Sequence, residues 1–281
     1  MKARVLGIYR EVEHSSAMAA ADKAILDAVL NRFTELGFSV VRLAPTQVAE
    51  VEPRTFVLVL AMCKNNHALQ RLAAFEREGV LVINSTLAIR NCCRDLLDAG
   101  LSRRGVPVPP GKLIETARPI DERDVAGFDL KRGVFVKPAD PEALASHAVA
   151  KIQEMTALRR VLSALGAKGL RRAYVQQAVQ GAEVKFYGVG GGRYFAALPD
   201  VLESTPALGR ALASAAGGAA KALGLEVWGG DAVVSEAGFS IIDFNAWPSF
   251  APVRDAAAHA IARRCVTLLE RAAARFDEAK A

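Results

Sequence analysis

The first hundred residues alternate between short apolar segments and helical ones, and this alternation constrains the fold more than any other feature of the chain. Apolar, largely β-branched runs predict strands at residues 4–9, 39–43, 56–62 and 80–83. Segments with apolar residues at helical spacing lie between them and end at glycines, and Ser85 is expected to cap a further helix that runs to about residue 99. Repeated strand–helix–strand units predict a parallel sheet with helices on both faces, and ligands of such sheets gather at the carboxyl ends of the strands.

The pattern changes after residue 100. The segment GVPVPPG at residues 105–111 cannot continue a helix and predicts an extended connector. The elements expected beyond it are strands at 133–138, 173–179, 184–189, 194–198, 228–235 and 239–245, a helix at 207–223 and a C-terminal helix from Asp255. We therefore predict an α/β protein in three parts, with residues 1–100, 101–180 and 181–281 as separate lobes.

Composition restricts the class of protein. The 281 residues are 52% hydrophobic, which suits a cored globular chain, but none of the apolar runs approaches the roughly 20 residues of a membrane helix. Charged residues follow the first apolar run too early for a signal peptide, and four cysteines form no disulfide framework. We expect a cytoplasmic protein without a membrane partner. The net charge of +6 suits an anionic small molecule, but no basic run interleaved with aromatics indicates a nucleic-acid partner. A homodimer is compatible with the sequence.

Three oxygen-bearing side chains near the C-terminus form the strongest candidate for a metal site. Asp243 and Asn245 are two residues apart on one predicted strand, so their side chains share a face. Asp231 lies on the preceding antiparallel strand and can reach the same face across the turn. Hard oxygen donors that leave room for water and phosphate oxygens suit Mg²⁺. The alternative interpretation is a surface hairpin with turn-capping acids.

The two central predicted strands carry candidates for nucleotide binding. Lys137 ends the strand GVFVKP, where a lysine can place a positive charge on a phosphate. The extended segment containing Gln176, Gln177 and Val179 offers backbone groups to the edge of an adenine, and Glu183 follows as an acceptor for ribose hydroxyls. Each of these residues also has an ordinary interpretation as part of a solvated strand end or loop.

Four segments, taken in this order, resemble the ATP-grasp superfamily. Residues 82–111 (VINSTLAIRNCCRDLLDAGLSRRGVPVPPG) are similar to the stretch that joins the lobes in ribosomal-protein glutamate ligases and glutathione-synthetase relatives. GVFVKP at 133–138 is similar to their strand with a phosphate-binding lysine, AYVQQAV at 173–179 to their adenine hinge, and IDFNAWPSF at 242–250 to their metal strand. The resemblance implies an ATP-grasp fold of two α+β lobes, preceded by a Rossmann-like domain with a parallel sheet.

The resemblance also implies roles for individual residues. Asp231, Asp243 and Asn245 would hold one or two Mg²⁺ ions, and Lys137 would contact the α- and β-phosphates of ATP. Arg94 lies near the position of the family's first ATP-contacting lysine. Lys185 lies where the ligases commonly place an arginine near the phosphates and the acceptor. In the same way Gln176, Gln177 and Val179 would frame adenine, and Glu183 would bind ribose.

The chain departs from the ligases in one segment. They carry a glycine-rich loop over the phosphates, whereas ADPEALASHAV at residues 139–149 contains no glycine. The ATP-grasp inositol polyphosphate kinases also lack such a loop, and they have a Ser-His pair similar to Ser146-His147 and a motif similar to DFNAWPSF at 243–250. This second resemblance would bring His147 close to a transferred phosphoryl group.

We therefore expect an ATP-dependent ligase that joins a carboxylate to an amine. A kinase acting on a polyol such as an inositol phosphate and a non-catalytic nucleotide sensor remain alternatives. A dinucleotide-dependent oxidoreductase is disfavoured because the first strand is not followed by GxGxxG. The acceptor would be a small molecule bound by residues that face the cleft between the lobes, for which the candidates are Arg10, His14, Ser15, Lys64, Asn65 and Arg254.

Overall fold

Three four-stranded sheets organise the molecule. The structure, a computed structural model, describes residues 2–11, 19–139, 150–199 and 205–278. We call the sheets N-terminal, middle and C-terminal, after their order along the chain. Each falls inside one of the three predicted parts, but the boundaries at residues 100 and 180 stay a prediction.

The N-terminal sheet is parallel, as the alternating sequence predicted. Its strands are β1 (Arg4–Ile8), β2 (Ser39–Leu43), β3 (Leu58–Ala61) and β4 (Leu81–Ile83), in the order β2-β1-β3-β4. The helices between them are α1 (Ala19–Glu35) and α2 (Asn66–Arg77). Every residue of β3 is buried, as in a central strand covered on both faces.

The segment after β4 differs from its prediction. One helix was expected from Ser85 to about residue 99, but two short helices form, α3 (Thr86–Asn91) and α4 (Arg94–Ser102). Ser85 caps the first of them as predicted, because its side chain accepts a hydrogen bond from the backbone of Ala88. At the break, the backbone N–H groups of Cys92 and Cys93 bond to carbonyls three residues back, so the chain tightens and starts a new helix at Arg94.

The middle sheet is antiparallel and contains two strands that the sequence did not indicate. It consists of β5 (Gly111–Glu115), β6 (Val134–Pro138), β7 (Ala150–Ile152) and β8 (Arg172–Gln177), in the order β5-β8-β6-β7. β5 follows a proline-rich connector and β7 has three residues, so neither shows a clear period of two. Helix α5 (Met155–Ala167) packs its apolar side chains against one face of this sheet. The other face carries Phe135, Lys137, Tyr174 and Gln176.

The C-terminal sheet is also antiparallel. Its strands β9 (Ala182–Val189), β10 (Tyr194–Leu198), β11 (Val227–Ser235) and β12 (Gly238–Ala246) are arranged in the order β10-β9-β11-β12. Helix α6 (Pro206–Leu223) shares a core with one face, and α7 (Arg254–Glu278) packs against part of the other and against α1. The four strands and the two helices predicted for this part of the chain are confirmed.

Asn84 joins the N-terminal sheet to the C-terminal sheet. Its side chain is fully buried and donates to the carbonyl of Val227 at 2.7 Å. Its Oδ1 accepts from the backbone N–H groups of Glu226 and Val227, at 2.7 and 2.9 Å. The indole of Trp247 adds a hydrogen bond to the carbonyl of Ile83 at 2.9 Å. The start of β11 is therefore fixed to the carboxyl end of β4.

Among the described residues, no helix combines the length and the apolarity that a membrane span requires.

Replacing Asn84 by Ala should lower the free energy of unfolding by about 3 kcal/mol, because three backbone groups lose a partner at a site without access to water. Asn91→Ala is the matched control, since Asn91 is partly exposed and donates one hydrogen bond, to Leu223; its loss should cost about 1 kcal/mol. Urea unfolding followed by circular dichroism measures both values. Equal losses in the two variants would contradict the role given to Asn84.

Candidate active site

A row of charged side chains crosses the C-terminal sheet. In the ladder of β9, β11 and β12, Lys185 lies opposite Asp231, and Asp231 lies opposite Asp243. Directly opposite residues in an antiparallel sheet point to the same face, with Cβ atoms about 5 Å apart. Asn245 is two residues beyond Asp243 and shares that face. The three predicted metal ligands are therefore brought together, and Lys185 joins them.

A β-bulge in β12 makes this row possible. Asp231 pairs with Asp243 and Ala232 pairs with Ile241, so Ile242 is an extra residue in the ladder. On a regular strand, Ile241 and Asp243 would share a face. The bulge instead lets Ile241 enter the core with Ala232 while Asp243 remains on the face of Asp231. No feature of the sequence indicated it.

The two carboxylates differ in their electrostatic surroundings. Burial raises the pKa of Asp231 above its ordinary value, although a hydrogen bond of 2.7 Å from Lys185 acts in the opposite direction. Burial also acts to raise the pKa of Asp243, but the charges of Arg94 and Lys137 outweigh it, so this pKa is lowered. Asp243 is therefore ionised at neutral pH.

Lys137 reaches from the middle sheet to the C-terminal sheet. Its ammonium group donates to the Oε1 atom of Gln176 at 2.8 Å and to the carbonyl of Ile242, the bulged residue, at 2.9 Å. Both Lys137 and Gln176 are buried, on the face of the middle sheet turned away from α5. The predicted phosphate-binding lysine thus lies next to the predicted metal strand.

Arg94, the first residue of α4, also lies between the two sheets. One guanidinium nitrogen donates to the carbonyl of Pro138 at 3.4 Å, and another lies 3.8 Å from a carboxylate oxygen of Asp243. The break between α3 and α4 therefore has a consequence for the site, because it starts a helix with an arginine beside Asp243.

Other predicted nucleotide-binding residues lie apart from this cluster. The side chain of Gln177 points to the opposite face from Gln176, where it bonds to the backbone of Asp129 and Gly133. Val179 is in the loop between β8 and β9. Glu183 is exposed on β9, two residues before Lys185 and on the same face. Of the two glutamines, only Gln176 turns its side chain toward Lys137.

Several acceptor candidates are already engaged by the protein. Arg10 donates to Asp22 at 2.6 Å and to the carbonyl of Trp247. Asn65 caps α2 through its Oδ1 atom and donates to Glu11. Sequence reasoning missed the roles of Glu11 and Asp22; the only available signal was the position of Glu11 after a strand of a parallel sheet.

Two further candidate cations remain less engaged. Arg254 begins α7, and among the described residues its buried Nε atom has no hydrogen-bond partner. Lys64 follows β3, and burial followed by the charge of Arg10 lowers its pKa to about 8. His14, Ser15 and His147 lie outside the described residues.

The donor set can be tested against Mg²⁺ from its chemistry. Within the described ranges, no group of three His, Cys, Asp or Glu side chains is placed to hold a metal ion. The candidate set instead combines two carboxylates, of Asp231 and Asp243, with the amide of Asn245. Asn245 donates through its amide nitrogen to Asp243 at 3.2 Å, which leaves its oxygen as an acceptor. A set of few protein oxygens, which leaves the other coordination positions to phosphate oxygens and water, matches the way Mg²⁺ binds in nucleotide sites.

Comparison with known proteins identifies the fold. No family model and no curated protein matches the chain. D-alanine–D-alanine ligase from Bacillus anthracis complexed with ATP superposes with a TM-score of 0.74 over 99% of both chains, at 13% identity. A second structure of that ligase gives a TM-score of 0.73 over 99% of this chain and 100% of the other, also at 13% identity. A RimK domain ATP-grasp protein from Sphaerobacter thermophilus DSM 20745 gives 0.70 over 93% of this chain and 98% of the other, at 19% identity. The chain has the ATP-grasp fold.

The ATP-grasp fold was predicted from the motifs between residues 82 and 250, and this prediction is confirmed over nearly the whole chain. In this fold, the middle and C-terminal sheets face each other through Lys137 and Arg94. The parallel N-terminal sheet precedes them, as expected.

Replacing Lys185 by Met should raise the pKa of Asp231, because the variant loses the ammonium group that opposes the effect of burial. ¹³C NMR of the aspartate carboxyl groups during a pH titration measures this change directly. Lys185→Arg is the control, since it keeps the charge and should leave the titration closer to that of the parent. A pKa of Asp231 that is the same in Lys185→Met and the parent would show that the ion pair does not form in solution.

Proposed function

We propose that the chain binds Mg-ATP between its middle and C-terminal sheets and uses it to activate a carboxylate as an acylphosphate, which an amine then attacks. One observation carries the proposal: cations of the middle sheet and of α4 converge on residues 242–243 of β12, next to paired carboxylates. The fold supports it, since two superposed structures are of a D-alanine–D-alanine ligase, one of them complexed with ATP.

The nucleotide would lie along the face of the middle sheet that carries Lys137 and Gln176. Lys137 would exchange its hydrogen bond with the carbonyl of Ile242 for phosphate oxygens, which are stronger acceptors because they are charged. Arg94 would add a second cation to the phosphates. The backbone around Val179 would meet adenine, and Glu183 would accept from the ribose hydroxyls. The side chain of Gln177 has no part in this proposal, since it is bonded to the turn at residues 129–133.

Asp231, Asp243 and Asn245 would hold Mg²⁺. Asp243 is ionised at neutral pH, and Asp231 can become a ligand once its partner Lys185 turns away. When bound, Mg²⁺ supplies positive charge that offsets the charge of the β- and γ-phosphates.

The chain's own residues mainly provide position and charge in this reaction. An oxygen of the acceptor carboxylate bonds to the γ-phosphorus as the bond to the bridging oxygen breaks, and ADP leaves. The amine then bonds to the acyl carbon, loses a proton and displaces inorganic phosphate. Lys137, Arg94 and Lys185 would stabilise the negative charge on the phosphoryl oxygens throughout.

A substrate panel tests the proposal. The protein is incubated with Mg-ATP and with single amino acids, pairs of amino acids or polyols, and ADP and products are measured by coupled assay and mass spectrometry. ADP formed with a carboxylate and amine pair, together with the condensed product, supports the ligase. A phosphorylated polyol would contradict the ligase and indicate a kinase. ATP binding without ADP formation under any condition would contradict the ligase and indicate a nucleotide sensor.

Replacing Asp243 by Asn should reduce turnover at least 100-fold, because the variant keeps the shape of the side chain and loses a charged ligand. Asp255→Asn is the matched control, since Asp255 is exposed at the start of α7. The rate of ADP release reports the effect for whichever substrate the panel identifies. Parental activity in Asp243→Asn would refute its assignment to the metal.

Replacing Lys137 by Met should weaken ATP binding about 10-fold or more, because a charged hydrogen bond to phosphate is worth about 1.5–3 kcal/mol. Isothermal titration calorimetry with a non-hydrolysable ATP analogue and Mg²⁺ measures the affinity. Lys168→Met is the control, because Lys168 is exposed at the end of α5, which covers the opposite face of the same sheet. Unchanged affinity in Lys137→Met would exclude the contact with phosphate.

A further inference from the structure

Lys64 is a cation of the N-terminal sheet that the site described so far does not use. It follows β3, where parallel strands present their carboxyl ends. It is partly buried and lies within electrostatic range of Asp243, Arg94 and Arg10. A third sheet therefore contributes charge to the region around Asp243.

The backbone of Lys64 is held in place by Glu11. The two carboxylate oxygens of Glu11 accept from the backbone N–H of Lys64 at 2.9 and 3.1 Å. One of them also accepts from the backbone and side-chain amides of Asn65, at 2.9 and 2.7 Å. Asn65 in turn caps α2 through Ala68. The turn that carries Lys64 is thus fixed at both ends, which is how proteins position a binding group before its ligand arrives.

Within the part of the chain that the structure describes, the ammonium group of Lys64 differs from the neighbouring guanidinium groups in having no hydrogen-bond acceptor. Arg10 is paired with Asp22 and bonded to the carbonyl of Trp247. Arg94 is shared between Pro138 and Asp243. Among the described residues, no side-chain hydrogen bond or ion pair is formed by Lys64. A partly buried ammonium group that is repelled by Arg10 and Arg94 is stabilised when an anion joins it in addition to Asp243.

The proposed reaction brings a second anion, the acceptor carboxylate, to the nucleotide. The acceptor carboxylate and the γ-phosphate are both negative, so bringing one to the other needs positive charge beside the attacking oxygen. Lys137, Arg94 and Lys185 are assigned to the phosphates, whereas Lys64 comes from the remaining sheet and reaches the vicinity of the same Asp243. We propose that Lys64 binds the carboxylate of the acceptor and holds it for attack on the γ-phosphorus. This inference rests on the proposed ligase function.

The test compares Lys64→Met, Lys64→Arg and a control, Lys221→Met, whose lysine is exposed near the end of α6. With the carboxylate that the substrate panel identifies, Lys64→Met should raise the KM for that carboxylate at least 10-fold and leave the KM for ATP within 2-fold. Lys64→Arg should recover most of the affinity because it keeps the charge. A KM for the carboxylate that does not change, or an equal loss of ATP affinity, would overturn the inference.

A second measurement separates this inference from the proposed function. Phosphonoacetate, which carries a carboxylate next to a phosphonate, is titrated by calorimetry into the parent and Lys64→Met in the presence of Mg²⁺ and a non-hydrolysable ATP analogue. Binding to the parent that weakens at least 10-fold in Lys64→Met supports an anion site at Lys64, even if no carboxylate stimulates ADP release and the ligase proposal fails. Equal affinity in both proteins, or no binding to the parent, would overturn the assignment of Lys64, whatever the substrate panel shows.

Discussion

The register of the C-terminal sheet is the constraint on which the candidate site depends. Lys185, Asp231 and Asp243 form a row only because β11 pairs with both neighbours at this level. The bulge at Ile242 is essential to that row, since it separates the face of Ile241 from the face of Asp243. The bulged residue also supplies the carbonyl that accepts a hydrogen bond from Lys137, and this bond links the middle sheet to the C-terminal sheet. A single extra residue therefore orients a carboxylate and supplies the acceptor for a cation.

Charge compensation across the sheets explains how these groups are tolerated together. Asp243 has Arg94 and Lys137 nearby, and Asp231 has Lys185. The pKa values of the two aspartates shift in different directions because Arg94 and Lys137, helped by Asn245 and Lys64, outweigh burial at Asp243, whereas Lys185 does not outweigh burial at Asp231. In the proposed function, nucleotide phosphates would enter between groups that already neutralise one another.

The carboxyl ends of the parallel strands serve two purposes in this fold. Asn84 after β4 and Arg10 after β1 bind the backbone of the C-terminal part, at Val227 and Trp247. Glu11 fixes the turn after β3, where Lys64 alone retains an uncommitted charge among the described cations of these ends. Ligands of parallel sheets gather at this edge. Here Lys64 is the candidate for ligand binding at the edge, because Asn84 and Arg10 hold the sheets together.

The sequence by itself determined most of the order of strands and helices. Its periodicity predicted the parallel sheet, and the spacing of Asp243 and Asn245 predicted their common face. It also indicated that Asp231 could reach that face across the turn, but a regular hairpin would place Ile242 opposite Asp231, so the pairing of Asp231 with Asp243 depends on the bulge. Only the tertiary structure decided the bulge, the break before Arg94 and the separation of Gln176 from Gln177. These depend on hydrogen bonds between residues distant in the chain, such as Lys137 with Ile242 and Gln177 with Asp129, and local periodicity carries no information about such partners.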